Sequence, residues 1–92
     1  MNFTLPLPQV NPADLDAMAE ADQRKEFVGN SIYPIIKATI GDNAGRVTGM
    51  LLDESVTNYK DLISNQVYFN NKCKEAYALL LQSMQPAPQQ QM

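Results

Sequence analysis

The chain has 92 residues, 45% of them hydrophobic, with seven basic and ten acidic residues, a net charge of -3 and no histidine. That length supports one small domain. The acidic balance argues against direct nucleic-acid contact by this segment, and the missing imidazole removes the commonest general base and metal ligand.

Residues 1–10 contain Pro6 and Pro8 and little periodicity, so they read as a flexible, extended lead-in. The Asn2-Phe3-Thr4 glycosylation pattern is treated as chance, because no basic and apolar secretory signal opens the chain. No apolar run reaches the roughly 18 residues of a membrane span. Cys73 is the single cysteine, which excludes an internal disulfide and fits a reducing, cytoplasmic setting.

Asn11-Pro12 opens a first short helix: asparagine caps, proline suits the first helical position, and Asp14 adds negative charge to the first turn. Leu15 and Met18 lie on one side of it. Asp22 is expected to cap a second helix of about five turns, in which Val28, Ile32, Ile35, Ile36 and Thr39 recur at helical spacing. Gly29 and Pro34 interrupt it. The apolar stripe runs through Pro34 in phase, which favours a continuous, bent helix over two helices broken at Tyr33. Tyr33 follows Gly29 by one turn and flanks a notch on the helix surface, the shape of a small pocket floor or of a close helix crossing.

Gly41 is a C-cap signal, and Asp42 or Asn43 supplies the next N-cap. In the third helix Val47, Met50 and Leu51 form an apolar seam. Leu52 falls off that seam, on the side of Thr48. Gly45 and Gly49 each cost about 1 kcal/mol against alanine in a helix interior, and close approach of another backbone is the usual compensation. Ser55 is expected to cap a short fourth helix through Tyr59, Leu62 and Ile63. Asn65 caps the last helix, whose stripe is Phe69, Cys73, Ala76, Leu80 and Met84, broadened by Tyr77. Lys72, Lys74 and Glu75 read as its solvated face, and Leu79 and Ser83 border the stripe. Cys73 on that stripe reads as a buried, inert thiol. Residues 85–92 are a Gln/Pro tail that cannot bury a core.

No catalytic constellation, metal-ligand spacing or cofactor motif is present. From Asp42, a calcium loop fails because Ala44 and Arg46 offer no carboxylate at the third and fifth positions. No Gly-Lys-Ser/Thr follows to make a phosphate loop. Asp53-Glu54-Ser55-Val56 matches the acyl-carrier site only loosely. The residues alone imply an all-α bundle over 11–84, not an enzyme, with more apolar surface on its third helix than one core contact consumes. Such a surface suits peptide binding or self-association.

Arg46-Val47-Thr48-Gly49-Met50-Leu51-Leu52-Asp53 resembles the Lys-Ile-Thr-Gly-Met-Leu-Leu-Glu signature of the MLLE domain. That domain is the C-terminal module of cytoplasmic poly(A)-binding protein and also occurs in a HECT-type ubiquitin ligase. Phe27-Val28-Gly29-Asn30-Ser31-Ile32-Tyr33-Pro34-Ile35-Ile36 resembles the family's second-helix pattern. Glu75-Ala76 and Leu79-Leu80 resemble the end of its last helix.

The resemblance implies a right-handed superhelix of four to five short helices that binds linear peptides, the PABP-interacting motif, through leucine and phenylalanine anchors. It implies a phenylalanine pocket at Gly29, Asn30, Tyr33, Arg46, Thr48 and Leu52. It implies a leucine pocket at Met50, Ala76, Leu79 and Leu80, with Gly49 giving room for the peptide backbone. The implied partners are translation, termination and deadenylation factors bound to a monomer, without nucleic-acid or membrane contact by this domain. A ubiquitin-ligase docking domain and an oligomerisation bundle are the alternatives. The sequence departs from the family at Tyr33 (commonly phenylalanine), Arg46 (lysine), Asp53 (glutamate), Glu26 (often glutamine), Asn30 (often glutamate) and Ser83 (an aromatic or histidine), which bears on partner preference.

Overall fold

The computed structural model describes residues 3–84, so the expected tail over 85–92 lies outside the described residues. The chain forms α1 (Ala13–Asp16), α2 (Ala21–Ile40), α3 (Ala44–Leu51), α4 (Tyr59–Ser64) and α5 (Gln66–Met84), with no strand among the described residues. This is the all-α architecture expected from the periodicity. The short α3 packs against α2 on one side and α5 on the other, while α4 packs on α5 and α2. The core sits between them: Val28, Ile32 and Ile36 of α2, Val47 and Leu51 of α3, Leu62 and Ile63 of α4, and Phe69, Cys73 and Leu80 of α5 are all buried.

Local chemistry explains most boundaries. Pro12 stands at the N-cap of α1, one residue later than expected, and Asn11 Oδ1 accepts the Ala13 N–H at 3.0 Å just ahead of it. α2 runs unbroken through Pro34. The proline sits on the exposed face, where the orphaned Asn30 carbonyl can meet water, and buried Ile32 and Ile36 on either side hold the helix together. Gly41 ends α2 with φ of 85°, a conformation that favours glycine, and its N–H bonds the Lys37 carbonyl at 2.9 Å. Asn65 Oδ1 accepts the Tyr68 N–H at 3.1 Å and starts α5 as expected.

Several expectations need correction. Asp22 lies inside the first turn of α2, where it favours the helix dipole, and Glu20 is the N-cap. Thr39 is exposed, because the core beside the last turn of α2 is already closed by Ile36 and Ile40. Ser55 does not cap α4. Its N–H and hydroxyl both donate to the Asp53 carboxylate, at 3.0 and 2.6 Å, and close a turn. Asn58 caps instead, accepting the Asp61 N–H at 3.1 Å. The segment over 3–10 has no regular structure, but it is not detached: Leu5 is fully buried against the bundle. The side chain of Met84 lies outside the described residues.

Candidate functional site

α3 divides the candidate site in two. Its exposed face carries Gly45, Arg46, Gly49 and Met50, a bare strip along the helix. A Cβ added to Gly45 or Gly49 would meet nothing within 4 Å. Among the described residues no backbone approaches these glycines, so the space beside them stays open.

On the α5 side, a depression of about 130 Å³ is lined by Met50, Leu51, Val56, Thr57, Lys72, Glu75, Ala76 and Leu79. Its floor is buried Leu51 and Ala76, and its walls are Met50, Val56 and Leu79, which are 38%, 63% and 58% exposed. Large apolar side chains this open, gathered around one hollow, make a surface that gains by being covered. Lys72 closes one rim: its Nζ donates to the Val56 carbonyl at 3.2 Å and lies 5.9 Å from the Tyr68 ring centroid. Glu75 stands exposed one turn further along α5. The structure therefore gathers Met50, Ala76 and Leu79, but puts Leu80 in the core, 6% exposed and off this lining.

Val56, Thr57, Lys72 and Glu75 also belong to this lining, although the sequence does not point to them and the two charged residues read there as a solvated face. A signal existed: Lys72, Glu75, Ala76 and Leu79 follow the i, i+3, i+4, i+7 spacing of one helix face. Val56 is harder to find, because the loop that aims it is fixed by tertiary contacts. The Val56 and Thr57 N–H groups return to the Asp53 carbonyl at 3.1 and 2.9 Å. Asn58 N–H donates to the Tyr68 hydroxyl at 2.9 Å. Glu54 takes a two-point ion pair from Arg24, at 2.9 and 3.1 Å, and the same guanidinium donates to the Met18 and Ala19 carbonyls. Arg24 beside it holds the Glu54 carboxyl below its usual range, and the Ser55 hydrogen bonds do the same for Asp53.

On the α2 side the notch at Gly29 is filled. Leu52, the first residue after α3, is half-buried, and its Cδ1 lies 3.0 Å from where a Gly29 Cβ would stand. Gly29 thus supports a close side-chain approach within the protein. Thr48 is 6% exposed, and its Oγ1 is buried without a hydrogen-bond partner among the described residues, a position that costs on the order of 1–3 kcal/mol. Tyr33 is 37% exposed, with Lys37 Nζ 5.9 Å from its ring centroid. Arg46 is exposed. Asn30 lines two hollows beside Phe27, one with the N-terminal segment and one with Met18 and Gln23. The structure joins Gly29 to Leu52, and places Asn30 at the Phe27 side of α2. Cys73 is buried, and burial pushes its thiol up to about 12, which leaves it protonated and unreactive at neutral pH.

The MLLE domain family model matches residues 15–80. The chain belongs to the MLLE domain family. It is 30% identical over 89 residues to polyadenylate-binding protein 4 of Arabidopsis thaliana, covering 97% of this chain and 13% of that protein. It is 31% identical to polyadenylate-binding protein 5 of the same plant, over 77% of this chain and 10% of that protein. It is also 31% identical to the polyadenylate-binding protein, cytoplasmic and nuclear, of Chaetomium globosum, over 73% of this chain and 9% of that protein. The chain thus spans about an eighth or less of these relatives. No solved structure matches it. As an MLLE domain it is a protein-interaction module that binds peptide motifs of partner proteins. No helix among the described residues is long and apolar enough to cross a membrane.

Proposed function

We propose that this domain captures linear peptides carrying leucine and phenylalanine anchors, and so recruits translation, termination and deadenylation factors to poly(A)-bound mRNA in the cytoplasm. The observation that carries this reading is the open hollow between α3 and α5, set beside a glycine strip on α3 that no described residue covers. A leucine anchor enters that hollow over Leu51 and Ala76, between Met50 and Leu79. The peptide backbone crosses α3 at Gly49. The phenylalanine anchor takes the place of the Leu52 side chain over Gly29, beside Tyr33, Arg46 and Thr48, with Asn30 at the outer edge. Leu80 supports the leucine pocket from below. The domain acts as a monomer, without contact to nucleic acid or membrane.

Each buried anchor contributes roughly 1.5–3 kcal/mol. Ordering a disordered peptide offsets part of that, about 2–5 kcal/mol. The relatives' names favour a poly(A)-binding parent chain over a ubiquitin ligase.

A titration with a synthetic peptide bearing both anchors, followed by amide chemical shifts, tests the reading. Shifts are expected at Met50, Leu79, Gly49, Leu52 and Tyr33. Shifts confined to the α4 surface around Lys60 and Asp61 would overturn it. A concentration-dependent dimer in sedimentation that buries Met50 and Leu79 would assign the same surface to self-association.

A further inference from the structure

We propose that α5 carries a second peptide-recognition site, built around Asn70 and filled by the chain's own residues Phe3–Leu5, while residues 6–10 run on beside Phe27 and Ile35 of α2. Leu5 is 0% exposed and Asn70 is 7% exposed. The Asn70 carboxamide reads both backbone groups of Leu5: its Oδ1 accepts the Leu5 N–H at 2.6 Å, and its Nδ2 donates to the Leu5 carbonyl at 2.9 Å. A neighbouring strand offers an extended residue the same pair of bonds. The second Asn70 donor goes to the Gln66 carbonyl at 2.8 Å and fixes the carboxamide in place, while Gln66 Nε2 adds a bond to the Leu5 carbonyl at 3.0 Å. Both donors of the buried Asn70 amide are thus used, one on Leu5 of the irregular segment and one within α5.

The segment suits its seat. Proline biases the residue before it toward extended backbone, so Pro6 and Pro8 pre-order Leu5 and Leu7 and lower the entropy lost on docking. Phe3 lies 6.3 Å from Tyr77, centroid to centroid, with Lys74 Nζ 5.9 Å from its own. Asn70, Lys74 and Tyr77 share one face of α5, and Lys72, Ala76 and Leu79 another. The seat is therefore distinct from the leucine pocket. The family model begins at residue 15 and does not cover the segment. The ligand class is an extended peptide with a leucine before a proline and an aromatic residue two positions upstream.

Amide exchange on the full chain is the first test: the Leu5 N–H should exchange about a hundredfold more slowly than an unprotected amide. The Leu5→Ala chain, whose own segment is loosened, is then titrated with a synthetic peptide spanning Phe3–Val10. Saturable shifts are expected at Gln66, Asn70 and Tyr77, and the same peptide with Leu5→Ala should bind about tenfold more weakly. In a chain with Asn70→Asp, which keeps the acceptor but loses both donors, Leu5 exchange should quicken about tenfold at unchanged helix content. Fast Leu5 exchange in the unaltered chain, exchange indifferent to Asn70→Asp, no saturable peptide binding, or shifts at Met50 and Leu79 instead would each overturn the proposal. A dimer that retains Leu5 protection would assign the seat to a second copy and overturn occupancy in cis.

Discussion

The two sides of α3 differ in a way their shared signature does not reveal. Toward α5 the surface is already hollow, walled by exposed Met50, Val56 and Leu79. Toward α2 the matching notch is filled by Leu52, which packs on Gly29. On the proposed reading, an anchor on the first side meets a ready site. One on the second must displace a side chain of the protein and gains only the difference between the two burials. The leucine half should therefore supply most of the affinity, and the aromatic half most of the discrimination between peptides.

Leu79→Asp should break this comparison most strongly. Leu79 is 58% exposed, so the fold should change by less than about 0.5 kcal/mol. A carboxylate at the mouth of an apolar hollow should nonetheless weaken binding by about 2 kcal/mol or more, measured by calorimetry.

Gly29→Ala addresses the filled side. Its Cβ would press on the far end of Leu52, a flexible contact that can yield. Peptide affinity should fall by about 1 kcal/mol. The penalty should vanish for a peptide whose phenylalanine is replaced by alanine, whereas an equal penalty for both peptides would place the aromatic elsewhere.

Gly49→Ala separates fold from function. No described residue lies within 4 Å of the added methyl, so the helix should gain up to about 1 kcal/mol in thermal unfolding. Binding should weaken several-fold if the peptide backbone crosses there. A stabilised variant with undiminished affinity would move the peptide off the glycine strip.

The smallest effect concerns the loop that aims Val56. Arg24 depresses the folded-state pKa of Glu54 below its ordinary value. That contribution is present above the ordinary glutamate range and is lost as pH falls through the lower folded value. Glu54→Gln should flatten this acid limb in thermal melts between neutral and acidic pH, and leave the neutral-pH fold intact, since exposed pairs contribute little.

Asn70, Gln66 and Leu5 show how far the chain's pattern could be read. Each is individually unremarkable: an amide on a helix, another one turn earlier, and a leucine in a proline-rich lead-in. Their pairing spans 65 residues of sequence, and no local pattern encodes it. The same holds for Lys72, which looks solvated in sequence and is a pocket rim in space. Met50 shows the opposite failure. Periodicity groups it with Val47 and Leu51, yet it is 38% exposed, because α3 packs mainly on α2 and α5 and its eight residues leave that edge uncovered among the described residues. Leu52 was placed off the core seam, and it is half-buried on Gly29.

The sequence by itself determined the helices, because their signals are local: apolar spacing through Pro34, glycine at the end of α2, asparagine before α1 and α5. Tertiary structure alone decided which apolar flank is hollow and which is filled, where Val56 and Lys72 stand, and that Leu5 belongs to the core. Those outcomes depend on how much space remains once helices far apart in sequence have packed, and close packing is a property of the assembled interior, not of any one segment.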